Sequence, residues 1–326
     1  MFLIKTISFP GLGIGEMNLP QSLPFKIFGL EIYWYGVIIA FGFLLAILYG
    51  RYRCKDFGYD FDHVIDAILF AVPLAIVCAR IYYVVFQWNA YKDDPISVFN
   101  IRNGGIAIYG GIIGAVIGLL LFAKVKKQPL LPYLDLAGLG LMIGQLVGRW
   151  GNFFNREAYG CATSAKYFLR MGLTENGVTE FVHPTYLYES VWNLVGLILI
   201  HFLSKKRKFD GQVFLMYVAW YGLGRAWIEG LRTDSLYIPG TSIRVSQLLA
   251  GLSFLAAVGV LLYIRFVKKP DGSKMLVNRK SGTEKEDREC SGEENGSVAS
   301  EEEIAPAEEQ AAAELVASVT AEKNKT

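Results

Sequence analysis

Histidine, cysteine and charged side chains are all scarce in this sequence. Its 326 residues include three histidines and four cysteines, and charged residues make up 19% of the chain. The cysteines have no paired spacing: Cys54, Cys78, Cys161 and Cys290. The sequence therefore predicts no disulfide framework. No grouping of His, Cys and carboxylate residues has metal-ligand spacing, so we expect no metal and no cofactor.

Two features of other protein classes are also missing. The run GLGIG at 11–15 has the glycines of a dinucleotide loop, but it lacks the strand and helix of a soluble βαβ unit. The first 22 residues are interrupted by Pro and Gly and contain no continuous apolar core of signal-peptide length. We therefore expect residues 1–30 to form an interfacial segment on the outer face, leading into a first membrane span.

What the chain has in abundance is apolar sequence. Hydrophobic residues make up 53% of it, and stretches of about 20 apolar residues are long enough to cross a bilayer. The sequence predicts an all-α polytopic membrane protein with a membrane domain over 31–267. Its seven predicted spans lie at about 31–50, 64–87, 104–123, 134–150, 184–203, 212–230 and 246–267.

Lysine and arginine indicate the orientation of these spans. Basic clusters follow spans one, three, five and seven, at 51–55, 124–127, 205–208 and 265–269. The positive-inside rule then places the N-terminus outside and the C-terminus in the cytoplasm. Residues from Ser281 onward include 13 acidic and 4 basic side chains and no aromatic ring. We expect 268–326 to be an acidic, disordered cytoplasmic tail without a catalytic role.

Polar residues that are costly inside a membrane all map to the outer half of the predicted bundle. Because such residues are functional candidates by default, they predict a cationic site for an anionic phosphate at headgroup depth. They are Tyr35, Arg80, Tyr109 within NGGIAIYGG, Arg149, Asn152, Asn155, Glu157, Tyr221, Arg225, Glu229 and Arg232.

The sixth span and the glycines each allow a structural interpretation as well. On a helix Tyr221, Arg225 and Glu229 fall within about 80° of one another, and Arg232 lies in the same stripe. Arg225 and Glu229 can equally form an i,i+4 ion pair that only supports the helix. The glycines of spans three and four are explained first by close helix packing. His183, in HPTYLYES, is expected to cap or pack a helix start whose first turns include Glu189, with support of a site as the alternative.

The residues of this outer half resemble a known family. GRWGNFFNREAYG (148–160) is similar to the signature of prolipoprotein diacylglyceryl transferases, bacterial membrane enzymes, with seven matching fixed positions. IYWYG (32–36), ARIYYVVF (79–86), HPTYLYES (183–190) and YGLGRAWIEGLRTD (221–234) resemble further family motifs. The resemblance covers about residues 25 to 267. It departs from many members at Tyr109, where they carry a histidine.

The resemblance implies transfer of a diacylglyceryl group from phosphatidylglycerol to the lipobox cysteine of a prolipoprotein signal peptide, with release of glycerol phosphate. It implies catalytic roles for Arg149, Arg225, Glu229 and Tyr109. Substrate binding is implied for Tyr35, Arg80, Asn152, Asn155, Glu157, Gly160, Tyr221 and Arg232. The expected location is the bacterial cell membrane, among membrane lipids, with the site toward the outer leaflet and without a nucleic-acid partner. The base that takes the thiol proton is left open between Tyr109 and the Arg225–Glu229 pair.

Two other classes of membrane protein remain as alternatives. A transporter of an anionic solute also carries intramembrane Arg and Glu, but its polar residues are expected near the midplane and in repeated halves. A seven-span receptor shares the number of helices and the outside N-terminus. The clustering of arginine at the outer helix ends favours the enzyme over both.

Overall fold

The computed structural model describes residues 6–27, 30–100, 104–233, 235, 237, 238, 240, 241 and 243–279. The acidic segment predicted as a tail lies, from residue 280 onward, outside the described residues, as does Cys290. Seven α-helices form the described part of the membrane domain. They are α1 (Trp34–Arg53), α2 (Phe61–Phe86), α3 (Ile108–Val125), α4 (Leu131–Asn155), α5 (Thr185–Ser204), α6 (Gln212–Ile228) and α7 (Val245–Tyr263).

The helices confirm the predicted polytopic membrane fold. Six of them are long and apolar enough to cross a membrane: α1, α2, α3, α4, α5 and α7. The sixth predicted span, 212–230, forms α6, which has 17 residues and continues as a 3-10 turn over Glu229–Leu231. A count of seven spans therefore stays a prediction, and so does the orientation of the two termini.

Helix α4 is longer than the sequence predicts. Its predicted span was 134–150, whereas the helix extends to Asn155 and carries most of the GRWGNFFN run on its last two turns. The C-cap residue is Arg156, which has a left-handed φ of 55°. Its amide donates to the carbonyls of Asn152 and Phe153. A left-handed residue at this position stops a helix and satisfies its last carbonyl groups. The signature is thus a helix end followed by a turn.

Six short strands were not predicted from the sequence. The four-stranded sheet has the order β2–β1–β5–β6, formed by Ile14–Met17, Thr6–Phe9, Met171–Glu175 and Val178–Val182. All its pairings are antiparallel, and β1 aligns Ile7 with Leu173 of β5. Strands β3 (Ser22–Ile27) and β4 (Leu30–Tyr33) pair separately just before α1. The described part of the segment predicted as an interfacial lead-in is therefore largely β-structure.

Glycines bring α2 and α3 into backbone contact. Gly110, Gly114 and Gly118 recur every four residues along one face of α3. A Cβ atom on Gly118 would lie 2.6 Å from the Cα of Ala71, and one on Gly110 would lie 2.8 Å from the Cα of Ala79. Small residues at this spacing let membrane helices approach until their backbones touch. The packing explanation for these three glycines is confirmed.

A reciprocal pair of tryptophans joins α5 to α6. Trp192 and Trp220 stack with ring centroids 4.4 Å apart. The indole N–H of Trp192 donates to the carbonyl of Trp220 over 3.0 Å, and that of Trp220 donates to the carbonyl of Trp192 over 2.9 Å. Each indole lies against a glycine one turn further along the other helix, Gly224 or Gly196. Both buried N–H donors are thereby satisfied, and the two helices are fixed at one relative height.

The end of the bundle where α1, α3, α5 and α7 finish carries the basic clusters. Arg53 is buried there, and its guanidinium donates to Asp56, His201 and Ser204 over 2.6, 2.8 and 2.9 Å. Asp135 of α4 is also buried at this end and accepts the backbone amides of Gly211 and Phe214, each over 2.8 Å. A carboxylate in this position caps the start of α6. We call this region the basic end.

Candidate active site

Opposite the basic end, three helices present charged side chains to one another. Arg149 lies two turns before the end of α4, Glu189 in the second turn of α5, and Arg225 in the last turn of α6. Because α5 runs antiparallel to both neighbours, its first turns lie beside their last turns. The polar residues that the sequence spreads over 80 positions therefore meet at one depth.

Glu189 is the centre of this group. It is 4% exposed, and its Oε2 lies 2.6 Å from Nη2 of Arg149. Its Oε1 lies 3.0 Å from Nη1 of Arg225 and 3.3 Å from Nη1 of Arg232. Three guanidinium groups from three different elements therefore share one carboxylate. Buried charges are tolerated only when they are paired in this way.

A second buried carboxylate completes what we call the arginine–glutamate cluster (Arg149, Glu189, Arg225, Glu229 and Arg232). Glu229 is 1% exposed, and its Oε2 lies 2.7 Å from Nη2 of Arg225. Its Oε1 accepts the hydroxyls of Ser235 and Ser246 over 2.8 and 2.9 Å. The i,i+4 ion pair that the sequence allowed between Arg225 and Glu229 is thus present, and Arg225 bridges both carboxylates. The cluster contains three positive and two negative charges, a net charge of +1.

The signature segment extends the cluster toward the surface. Nη1 of Arg149 lies 3.4 Å from Oδ1 of Asn152. The side-chain amides of Asn152 and Asn155 both donate to Oε1 of Glu157, over 3.0 and 3.2 Å. Glu157 is exposed. The four residues form a continuous chain of hydrogen bonds from the partly buried guanidinium of Arg149 to an accessible carboxylate.

Gly160 positions the backbone that carries Arg232. The two residues form an isolated antiparallel bridge, supported by the amide of Cys161 donating to the carbonyl of Leu231 over 2.6 Å. The amide of Gly160 also donates to the carbonyl of His183 over 2.8 Å. A Cβ atom at Gly160 would lie 2.7 Å from the Cβ of His183. Only glycine allows this approach, so Gly160 has a geometric role in the site, and its expected contact with substrate stays a prediction.

Two further tyrosines from the predicted set adjoin the cluster. The ring of Tyr35, at the start of α1, packs on Gly151 of α4, where a Cβ atom would lie 2.7 Å from its Cδ2. Tyr221, one turn before Arg225, stacks on Tyr217 with centroids 6.0 Å apart. The hydroxyl of Tyr217 accepts from Gln145 over 2.9 Å. Helices α1 and α6 therefore contribute aromatic rings beside the charged centre, packed against α4.

Arg80 and Tyr109 lie apart from the cluster. All five N–H groups of Arg80 donate to backbone carbonyls of the loop before α3: those of Ser97, Val98, Asn100, Gly104 and Gly105. These bonds hold the loop in place, and the expected role of Arg80 in substrate binding stays a prediction. Tyr109, in the first turn of α3, is 40% exposed, and its ring lies 6.4 Å from that of Tyr82. Neither residue contacts the cluster within the described part of the chain.

Glu189 is the site residue that the sequence did not identify. It precedes a long apolar run by only a few positions, where a glutamate is ordinary at a helix start. Its partners become evident only in the folded structure, where the arginines of α4 and α6 lie beside it. No group of three His, Cys, Asp or Glu side chains that could hold a metal ion is found among the described residues.

The fold and the site define a polytopic membrane protein with a buried, net cationic polar centre near one end of its helices. The family model described as prolipoprotein diacylglyceryl transferase matches residues 23–263. A phosphatidylglycerol–prolipoprotein diacylglyceryl transferase of Enterococcus faecalis is 44% identical over 75% of this chain and 91% of its own length. Proteins of the same name from Lysinibacillus sphaericus and Clostridium botulinum are 39% and 43% identical, over 79% and 76% of this chain and 97% and 96% of theirs. The chain belongs to the prolipoprotein diacylglyceryl transferase family.

These matches confirm the family prediction and the transferase class that goes with it. They cover the membrane helices and the whole arginine–glutamate cluster.

Proposed function

We propose that this protein transfers the diacylglyceryl group of phosphatidylglycerol to the lipobox cysteine of a prolipoprotein signal peptide. The reaction takes place at the outer leaflet of the bacterial cell membrane. Two features support this location. The arginine–glutamate cluster and the basic end lie at opposite ends of the helices, and clusters of lysine and arginine favour the cytoplasmic side.

The observation that carries the proposal is the convergence of Arg149, Arg225 and Arg232 on Glu189 within 3.3 Å. The net charge of +1 in the cluster matches the single negative charge of a phosphodiester. Guanidinium groups bind phosphate oxygens in pairs and stay protonated when buried. Because Glu189 already orients them, little reorganisation is needed when a phosphate arrives.

The chemistry that the cluster supports is displacement at a glyceryl carbon. The cysteine sulfur attacks the glycerol carbon that carries the phosphate ester, a C–S bond forms, and the C–O bond to phosphate breaks with its electron pair on oxygen. Glycerol phosphate leaves, so negative charge grows on the phosphate in the transition state. Arg149 and Arg225 stabilise that charge, and Arg232 assists in binding the lipid.

The thiol proton has two candidate acceptors. A thiolate is the reactive nucleophile, so the proton must leave before or during attack. Glu229 lies inside the cluster, paired with Arg225, whereas Tyr109 is partly exposed on α3. Transfer kinetics of Glu229→Gln and Tyr109→Phe separate the two. The acceptor is the residue whose substitution removes the low-pH limb of the pH–rate profile, where protonation inactivates the base.

The signature residues beside the cluster serve substrate recognition in this proposal. Asn152, Asn155 and Glu157 form a polar path from Arg149 to the surface, so they are placed to hydrogen-bond the glycerol headgroup or the lipid esters. Tyr35 and Tyr221 supply walls for the lipid backbone. Gly160 keeps Arg232 in position.

The test is a transfer assay with the purified protein, phosphatidylglycerol and a lipobox peptide. A peptide mass gain of one diacylglyceryl group, with release of glycerol phosphate, is expected, and none when the peptide cysteine is replaced by serine. Arg149→Gln should abolish transfer, whereas Lys166→Gln, which removes an exposed cation from the following loop, should not. A folded protein without transfer, which instead moves an anionic solute into vesicles, would contradict the proposal and favour a transporter.

A further inference from the structure

A cationic cavity lies at the basic end, away from the arginine–glutamate cluster. It has a volume of about 670 Å³ and is bordered by the ends of α5 and α7 and the beginning of α6. Met216 lines it, nine residues before Arg225 on α6. At about 1.5 Å per helical residue, that places the cavity roughly 14 Å along α6 from the cluster.

The cavity combines four cations with an apolar lining. Lys206 and Lys208 border it from the loop after α5, and Arg265 and Lys269 from the end of α7. None of these four side chains forms an ion pair with another described residue. Oδ2 of Asp210 accepts the amide of Leu276 over 2.9 Å, and Oδ1 of Asp271 accepts that of Ser273 over 3.0 Å; among the described residues, neither carboxylate forms an ion pair with these four cations.

The apolar lining distinguishes this cavity from a simple basic surface. Phe209, Met216 and Leu261 form part of its wall beside the lysines. Lysine and arginine side chains commonly lie along apolar surface while their charges stay at headgroup depth. An occupant that satisfies both parts has an anionic head and a hydrocarbon tail.

We propose that this cavity binds an anionic phospholipid of the leaflet opposite the active site. Basic pockets between membrane helices at this depth bind phosphate headgroups. The acidic segment 281–326 is the other source of negative charge. It contains no aromatic residue and only scattered large apolar ones, which do not match the apolar wall. The proposal is independent of the transfer reaction, because the cavity shares no residue with the cluster.

The binding of phosphatidic acid to the full-length protein in detergent, counted by native mass spectrometry, tests this. Lys206→Gln/Arg265→Gln should weaken binding of one lipid by about thirtyfold, at about fivefold for each cation removed. The matched control Lys124→Gln/Lys127→Gln removes two cations from the same end outside the cavity, and it should leave that lipid bound. Both variants keep the arginine–glutamate cluster, so lipid held there does not affect the comparison.

Phosphatidylcholine, which has no net charge, should show no difference between the two double variants. Thermal unfolding curves check that both variants are folded. If they are, equal lipid binding by the cavity variant and the control would overturn the proposal. The same holds if binding weakens equally in both variants, because the effect would then be a general attraction of the basic end.

Discussion

Glutamine in place of Glu189 tests the central feature of the site. The substitution keeps the size of the side chain but removes the negative charge that lies 2.6 Å from Arg149, 3.0 Å from Arg225 and 3.3 Å from Arg232. The net charge of the arginine–glutamate cluster rises from +1 to +2, and its three guanidiniums repel one another, with Glu229 as the remaining carboxylate within the cluster. Breaking a buried pair by removing one partner costs about 3–5 kcal/mol.

Two effects of Glu189→Gln are expected. The melting temperature in detergent should fall by about 6–20 °C, on the scale of about 2–4 °C per kcal/mol for domains of this size. Arginines that move apart by about 1 Å no longer fit the departing phosphate, so kcat/KM for phosphatidylglycerol should fall about 100-fold or more. Glu189→Asp keeps the charge on a shorter stem, and an intermediate loss is expected.

The measurement compares thermal unfolding and transfer kinetics of Glu189→Gln with those of Glu180→Gln. Glu180 is an exposed residue of β6, so the control makes the same chemical change without touching the cluster. Unchanged values are expected for the control. If folded Glu189→Gln kept its melting temperature and its kcat/KM within twofold of the original protein, the reasoning that Glu189 organises the arginines would be wrong.

Three further predictions concern the supports of the site. Gly118→Leu forces side-chain atoms against Ala71 and should reduce the yield of folded protein in membranes, whereas Gly259→Leu on α7, where a Cβ atom meets nothing within 4 Å, should not. In Gly160→Ala the new Cβ atom would lie 2.7 Å from the Cβ of His183. The shift should displace Arg232 and lower the transfer rate more than the stability. Gly15→Ala, where a Cβ atom meets nothing within 4 Å, is the matched control. Arg80→Lys keeps the charge but supplies at most three donors for the five carbonyls that Arg80 binds. The loop should therefore be held less firmly, and proteolytic cleavage between 95 and 107 should become faster. Unchanged cleavage would show that Arg80 does not hold the loop.

Much of the fold follows from hydropathy, because the bilayer requires long apolar helices with internally satisfied backbones. The end of α4 did not follow, since polar residues such as Asn152 and Asn155 lower the local hydropathy while the helix continues through them. Strands β1 and β5 did not follow either. Each has only four or five residues, and their pairing joins Thr6 to Thr174 across a separation that no local pattern reveals.

The candidate site shows the same division. Arg149, Arg225 and Glu229 stand out because charge inside a membrane is costly. Glu189 does not, because its sequence neighbours give an adequate local reason for it. Arg80 stands out for the same reason as the cluster, yet its charge is used to hold a loop. The energetic cost of placing a charge in the membrane therefore identifies candidate residues in the sequence. The partners of those residues depend on which helices lie side by side in the fold.

The tryptophan pair between α5 and α6 has a consequence for how accurately charges are aligned. Glu189 lies three residues before Trp192, and Arg225 lies five residues after Trp220, so each charged residue is about one turn from the stacked rings. A slip of one residue between the helices would move them by about 1.5 Å and rotate one by about 100°, breaking both indole hydrogen bonds at once. The stacked rings thus fix the register of α5 against α6. That register sets the 3.0 Å separation of Glu189 and Arg225 before any substrate binds.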